Sequence, residues 1–325
     1  MEDGCNPAGV DRVCDPMPDP RLAQLARFSE EYRSGRISRR VFIERLISVL
    51  GSSALAQHWL VSSGWAGTPQ SNVSPQEPGP EPESLPGVES SAVLYPGEGA
   101  TLLGYLSRPQ PRDDAKPFPG LLLIHESTGL NDHIRDVARR LAAEGYFVLA
   151  VDQLSRQGGT ASFLSPDAAA EACDNAGDED VARGIEDLEA ATSYLAFHPL
   201  VETGRIGVLG FGWGGERAFL YATVNPALKA AVVFYGGPPP EDQLAAIETP
   251  VLGHYAANDP RVTSTVAATR AAMQRLGKSY DAKIYPGVAP AFFNDTGSAY
   301  DEAAALDAWT RTLAFLKQRL APESF

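Results

Sequence analysis

Short apolar runs alternate with helical patterns along most of the chain, and this alternation restricts the fold more than any other feature of the sequence. Residues 121–124 and 147–151 are apolar runs of strand length. Between them, residues 132–144 carry apolar side chains at helical spacing and end before Gly145. A continuous apolar run indicates a strand that is buried on both faces, as in a parallel sheet. We therefore predict an α/β fold: a doubly wound, mostly parallel sheet with helices on both faces.

The same alternation continues to the C-terminus and supplies the remaining elements of the predicted sheet. It predicts further strands at residues 206–210, 231–235, 251–255 and 282–285. It predicts further helices at residues 180–196, 214–222, 262–276 and 300–320.

Composition divides the chain into three parts. Residues 1–66 are predicted to form a helical arm, and residues 67–90 are rich in Pro, Gly, Ser and Glu. Such a segment cannot bury enough apolar area to offset the entropy of ordering, so it is predicted to be an extended linker. The catalytic-type domain is then predicted to span residues 91–325.

The arm contains a segment that resembles a twin-arginine export signal. Arg39 and Arg40 precede Phe42 and Ile43, and residues 46–66 are mildly apolar and carry no Lys, Arg, Asp or Glu. The pattern predicts export, with a periplasmic or membrane-associated protein as the result. The alternative is a soluble helical hairpin that packs on the main domain of a cytoplasmic protein.

Charge and cysteine content exclude several classes of partner and cofactor. The net charge is -14 and the pI is about 4.8, so nucleic acid is not expected as a partner, because binding it requires clustered Lys and Arg. Cys5, Cys14 and Cys173 are three in number and lack the close spacing of metal or redox motifs. We therefore expect no metal, no cofactor and no disulfide framework.

The glycine-rich segment after the strand at 206–210 is the most informative motif. Gly210, Gly212 and Gly214 lie where the predicted strand turns into a helix. This is the context of a nucleophile elbow, in which small residues flank a side chain that is held toward the substrate. Here the central position is Gly212, which has no side chain.

Several ordered segments together resemble the dienelactone hydrolase family, from about Arg21 to Leu320. They are His125-Glu126, Gly129-Leu130-Asn131, residues 134–141, the elbow, Asp259, Tyr285-Pro286-Gly287-Val288, Phe292, Asn294, Asp295 and residues 308–313. The resemblance implies an α/β-hydrolase fold. It also implies a family activity of carboxylic ester and dienelactone hydrolysis.

The resemblance also assigns four positions of the site. Asp259 matches the family's catalytic acid, and Glu126 matches the glutamate that influences the resting thiol. Gly212 stands at the position of the cysteine nucleophile, and Pro290 stands at the position of the catalytic histidine. Glycine and proline cannot act as a nucleophile and its base.

These two losses predict a catalytically degenerate protein that acts as a binding or structural subunit of a larger assembly, with protein partners or a membrane-associated assembly. Two alternatives remain. The first is a hydrolase of small esters or lactones with an unconventional site, and the second is a small-molecule carrier that uses the old pocket.

Other side chains near the elbow are candidates for the site. Trp213 and Phe211 are predicted to line an apolar pocket, although core packing is the more typical role for Phe211. His254 is predicted at the same rim, either in a relocated Ser-His-Asp set or in local packing. A cation held by Glu126 and Asp259 is a further alternative. The hydroxyls available to a relocated set are those of Ser127, Thr128 and Ser155.

Overall fold

The computed structural model describes residues 85–110 and 117–320, together with Arg27, Phe28, Glu31, Arg45 and Val49. The chain divides into two compact units, Met1–Gln57 and His58–Phe325. The predicted twin-arginine segment and most of the predicted linker lie outside the described residues. Within the described part of the chain, none of the helices combines the length and the apolarity that crossing a membrane requires.

Eight strands form one sheet in the order β1-β2-β4-β3-β5-β6-β7-β8. β1 pairs antiparallel with β2 and β2 antiparallel with β4, while every other pair is parallel. The strands are β1 (Val88–Gly97), β2 (Ala100–Pro109), β3 (Phe118–Ile124), β4 (Phe147–Asp152), β5 (Val201–Phe211), β6 (Ala230–Phe234), β7 (Val251–Ala256) and β8 (Tyr280–Tyr285).

Helices cover both faces of the sheet. They are α1 (Asp132–Ala143), α2 (Pro166–Asp174), α3 (Asp178–Ala196), α4 (Trp213–Val224), α5 (Pro260–Arg275) and α6 (Glu302–Leu320). One buried cluster holds side chains of α3, α4 and α5, and the other holds side chains of α1 and α6. This arrangement confirms the predicted doubly wound α/β fold. The strands are apolar on both faces, so each face needs a helical layer to bury it.

The antiparallel hairpin of β1 and β2 differs from the sequence-based expectation. Its polar, Ser- and Gly-containing sequence lacks a continuous apolar run, and the strands are defined instead by pairing along their full length. β1 already begins at Val88, so residues 88–90 belong to a strand rather than to the predicted linker. The hydroxyls of Ser90 and Ser107 are 2.9 Å apart across this pair.

The parallel strands place their carboxyl ends at one edge of the sheet. In doubly wound folds this edge carries the ligand site. The loops that follow β3, β5, β6, β7 and β8 contain all four positions that the family resemblance assigned, namely Glu126, Gly212, Asp259 and Pro290, and the residue that follows β6 is Tyr235.

Candidate active site

The turn at Gly212 has the backbone geometry of an elbow. β5 ends at Phe211 and α4 begins at Trp213, so only Gly212 separates strand from helix. Its φ of 52° and ψ of -114° lie where a residue with a side chain is strained. The Gly212 N–H donates to the Phe234 carbonyl at 2.8 Å, which fixes the turn against β6.

Steric contacts explain the flanking glycines but leave space at the centre of the elbow. A Cβ on Gly210 would lie 2.0 Å from the Gly214 carbonyl oxygen, and a Cβ on Gly214 would lie 2.2 Å from the His125 carbonyl oxygen. These are distances at which backbone atoms must shift. A Cβ on Gly212 would meet nothing closer than the Tyr235 ring at 3.8 Å. Crowding therefore does not exclude a side chain at Gly212, and glycine adopts these backbone angles without the strain that a nucleophile would bear there.

Glu126 and Tyr235 form the polar pair of the site. The Tyr235 hydroxyl donates to Glu126 Oε1 at 2.9 Å, and the Glu126 side chain is half-buried. Burial first, and then the negative charge of Glu126, raise the pKa of Tyr235 well above its ordinary value. The phenol therefore stays protonated and remains a donor. Sequence reasoning did not select Tyr235, although its place directly after β6 puts it at the same edge.

Asp259 lies beside the loop that contains Pro290, but its carboxylate is hydrogen-bonded to the first turn of α5. Its carboxylate accepts a hydrogen bond from the Val262 N–H at 3.3 Å and caps the N-terminus of α5. The adjacent Asn258 N–H donates to the Val288 carbonyl at 3.0 Å, which holds the loop against α5. Pro290 itself is exposed.

Two histidines of this region, His254 and His125, serve the fold. His254, predicted at the rim of the pocket, is instead fully buried, and its ring nitrogens lie 3.1 Å from the hydroxyls of Tyr285 and Thr312. His125 is also fully buried, its Nδ1 lies 2.6 Å from the Glu126 carbonyl, and its Nε2 accepts from the Gln153 N–H at 3.1 Å. Burial lowers the pKa of both imidazoles, and that of His254 falls to about 3.

Phe211 and Trp213 lie on opposite sides of the turn. Phe211 is fully buried and packs against Phe234 and Phe293, with ring centroids at 4.6 and 5.4 Å, so it belongs to the core and not to a pocket. Its position before the elbow directs its side chain into the face covered by α1 and α6. Trp213 is half-buried and lines a cavity beside the elbow.

A cation site at Glu126 and Asp259 finds no support in the geometry. No group of three or more His, Cys, Asp or Glu side chains is arranged to hold a metal ion among residues 85–110 and 117–320. Glu126 instead pairs with the Tyr235 hydroxyl, and Asp259 with the backbone of α5.

The environment of His254 predicts a stability that depends on pH. Its pKa is about 3 in the folded chain, against 6.5 for an unperturbed imidazole, so the unfolded chain binds more protons between these values. This contribution is complete above about pH 6.5 and disappears as the pH falls toward 3, with a total on the order of 5 kcal/mol. Urea unfolding at pH 7 and pH 5 should show a smaller loss of stability for His254→Gln than for the wild type. An identical loss in both proteins would contradict the assignment.

Comparison with known proteins identifies sequence and structural relatives. A family model described as the dienelactone hydrolase family matches residues 102–320. A Methylorubrum extorquens protein provisionally named carboxymethylenebutenolidase is 32% identical over 244 residues, which cover 71% of this chain and 82% of the relative. A Bradyrhizobium protein provisionally named 2-oxo-3-(5-oxofuran-2-ylidene)propanoate lactonase is 34% identical, with 68% of this chain and 91% of the relative covered.

A solved structure shows the same fold. It is that of a provisionally assigned dienelactone hydrolase from Klebsiella pneumoniae, with a TM-score of 0.65 and 32% identity over 71% of this chain and 99% of the other. The predicted α/β-hydrolase architecture and family resemblance are confirmed by this likeness and by the family model.

These relatives contradict the prediction of a catalytically degenerate binding or structural subunit, which is therefore wrong. That prediction depended on Gly212 and Pro290 alone, whereas the relatives carry the names of hydrolases and lactonases. No finding supports a role as an assembly subunit. The comparisons instead favour the alternative of a hydrolase of small esters or lactones.

Proposed function

Because the chain belongs to the dienelactone hydrolase family, we propose that it hydrolyses small esters or lactones at the elbow, with Glu126 activating a water molecule in place of an elbow nucleophile. One observation carries the proposal: the Tyr235 side chain borders the space above Gly212 with its ring and hydrogen-bonds the Glu126 carboxylate with its hydroxyl. Tyr235 therefore contacts both the Glu126 carboxylate and the open space at Gly212 in which a small reactant can lie.

The start of α4 supplies a place for the substrate carbonyl oxygen. The first helical hydrogen bond runs from the Glu216 N–H to the Gly212 carbonyl at 3.0 Å, so the Trp213 N–H is not used inside the helix. N–H groups at a helix N-terminus, together with the helix dipole, stabilise negative charge. In this fold the N–H of the residue after the nucleophile position is one half of the oxyanion hole. Trp213 retains that position.

The hydrolytic step then needs only water and one base. Glu126 accepts a proton from water as the water oxygen bonds to the acyl carbon, and the carbonyl electrons move onto the oxyanion. The tetrahedral intermediate collapses, the carbon–oxygen bond to the leaving alkoxide breaks, and Glu126 returns its proton to the leaving oxygen. General acid–base catalysis of this kind contributes about 10²- to 10⁴-fold.

The backbone at Tyr235 supports a functional role for this residue. Its φ of 42° lies in the left-handed region, where a bulky non-glycine residue is strained by about 1–3 kcal/mol. Such strain is maintained where the surrounding structure needs a side chain in one direction. At Tyr235 it directs the hydroxyl to Glu126.

The mechanism predicts turnover without a covalent intermediate. Purified full-length protein should hydrolyse 4-nitrophenyl acetate and an unsaturated butenolide above a buffer blank. Intact-mass spectra taken during turnover should show the unmodified chain mass, because Gly212 offers no atom to acylate. A stable acyl adduct, or no turnover at all, would contradict the proposal. Peptide mapping of any adduct would identify the nucleophile that replaces water.

A further inference from the structure

His133, the second residue of α1, is a buried imidazole that the hydrolytic step as described does not use. Its side chain is 1% exposed, and its ring packs edge-on against the rings of Phe211 and Phe293, with centroids at 6.1 and 6.2 Å. Among the residues that the structure describes, neither ring nitrogen has a hydrogen-bond partner. An unpaired buried donor or acceptor destabilises the folded state, so this ring needs an explanation beyond packing.

The ring lies close to the polar pair of the site. Phe211, which packs beside His133, also lies 6.1 Å from the ring of Tyr235, and the Tyr235 hydroxyl donates to Glu126. Burial lowers the pKa of His133, and among the nearby charges that oppose this effect Glu126 contributes most. His133 is therefore within electrostatic reach of the carboxylate that serves as the base.

The imidazole of His133 is neutral at pH 7. Burial lowers its pKa below the ordinary value, and Arg140 acts in the same direction. The carboxylates of Glu126, Asp295 and Asp136 act in the opposite direction without reversing the shift. Its place in the first turn of α1 also disfavours an added positive charge. A neutral imidazole has one N–H donor and one acceptor nitrogen.

Asp295, in the loop between β8 and α6, determines which nitrogen carries the proton. Its Oδ1 lies 3.6 Å from His133 Nδ1. A carboxylate accepts hydrogen bonds and does not donate them, so it favours a proton on the nitrogen that faces it. Nε2 is then an acceptor for which the described part of the chain offers no donor. Water is the donor that buried polar groups of this kind receive in proteins.

We propose that His133 orients the hydrolytic water: its Nε2 and the Glu126 carboxylate each accept one hydrogen of the same water molecule. Both hydrogens are then bound, and a lone pair of the water oxygen is free to point toward the acyl carbon. The proton still passes to Glu126 and from there to the leaving oxygen, so His133 stays neutral throughout. This role in hydrolysis rests on the proposed function, whereas the tautomer and the shared water do not.

Nitrogen-15 NMR of the histidine rings tests the tautomer and the shared water without turnover. The full-length chain has five histidines, and the signal that is lost in His133→Phe identifies His133. At pH 7 we expect the proton on Nδ1. Asp295→Asn should mix the two tautomers, and Glu126→Gln should shift the Nε2 resonance. Asp136→Asn is the matched control and should change neither, because Asp136 bonds Arg139 and is about as exposed as Asp295.

His133→Phe distinguishes orientation of the water from a purely structural role. Phenylalanine keeps a ring at this place and removes two unpaired nitrogens, so the variant should melt at or above the Tm of the wild type. Loss of water orientation should lower kcat by about 10- to 100-fold at nearly unchanged KM, because only the transition state is affected. A structural role would lower Tm and leave kcat unchanged. His133→Gln, which keeps an acceptor near the position of Nε2, should recover part of the activity.

A wild-type ring with its proton on Nε2, an Nε2 signal that does not respond to Glu126→Gln, or a folded His133→Phe variant with unchanged kcat would each overturn the proposal. If His133→Phe does not fold, His133→Gln assigns the signal and Asp295→Asn replaces it in the assay. Asp295→Asn should lower kcat by at least about threefold, and a kcat equal to that of Asp136→Asn would have the same meaning. A protein with the expected tautomer and response to Glu126→Gln that hydrolyses nothing would refute the proposed function alone.

Discussion

Gly214→Ala is expected to destabilise the domain strongly. The new methyl group would lie 2.2 Å from the His125 carbonyl oxygen and 2.6 Å from the Ile124 carbonyl oxygen. Both are backbone atoms at the end of β3, so neither can move as a flexible side chain would. Relief requires α4 to separate from the sheet, and overpacking of a rigid core costs about 1–3 kcal/mol or more.

The expected cost is at least about 3 kcal/mol out of the 5–15 kcal/mol typical of a domain. This corresponds to a fall in Tm of at least about 6–12 °C for a domain of this size. Gly177→Ala is the matched control, because a Cβ there would meet only Asp180 Oδ2 at 4.0 Å. Thermal unfolding of the two variants should separate them clearly. A Gly214→Ala protein that melts with the wild type would show that α4 and β3 are not packed this closely.

The elbow could be predicted from the sequence because it depends on glycines that lie within a few residues of one another in the chain. A turn that passes from strand to helix in one residue excludes side chains at Gly210 and Gly214, and the structure places their missing Cβ positions against backbone oxygens. The parallel strands could be predicted for the same kind of reason, since burial on both faces leaves continuous apolar runs such as that of β3.

The rest of the site depends on contacts between distant segments, which a single sequence does not encode locally. Glu126 and Tyr235 are 109 residues apart in the chain, and their hydrogen bond exists only because β3 and β6 end at the same edge. His254 was predicted near the pocket from its place on β7, but the alternation of side chains along the strand directs it into the core.

Glu126→Gln is expected to lower kcat/KM by about two to four orders of magnitude, the range attributed to a general base. Glutamine keeps the shape of the side chain and still accepts the hydrogen bond of Tyr235, so the fold and the position of the group are preserved. It cannot take a proton from water. Tyr235→Phe should have a smaller effect of about tenfold, since it removes one hydrogen bond to a charged group and leaves the base in place.

Hydrolysis without an elbow nucleophile is tested most directly by the ratio of kcat/KM between the wild type and Glu126→Gln. The two proteins are prepared in parallel and assayed by proton release from an unsaturated butenolide. Glu144→Gln, an exposed carboxylate at the end of α1, controls for net charge and for contaminating esterases. The mechanism predicts turnover by the wild type and by Glu144→Gln within about twofold of each other, with a loss of at least about 100-fold in Glu126→Gln. Equal turnover by all three proteins, or a wild type that does not exceed the buffer rate, would contradict it.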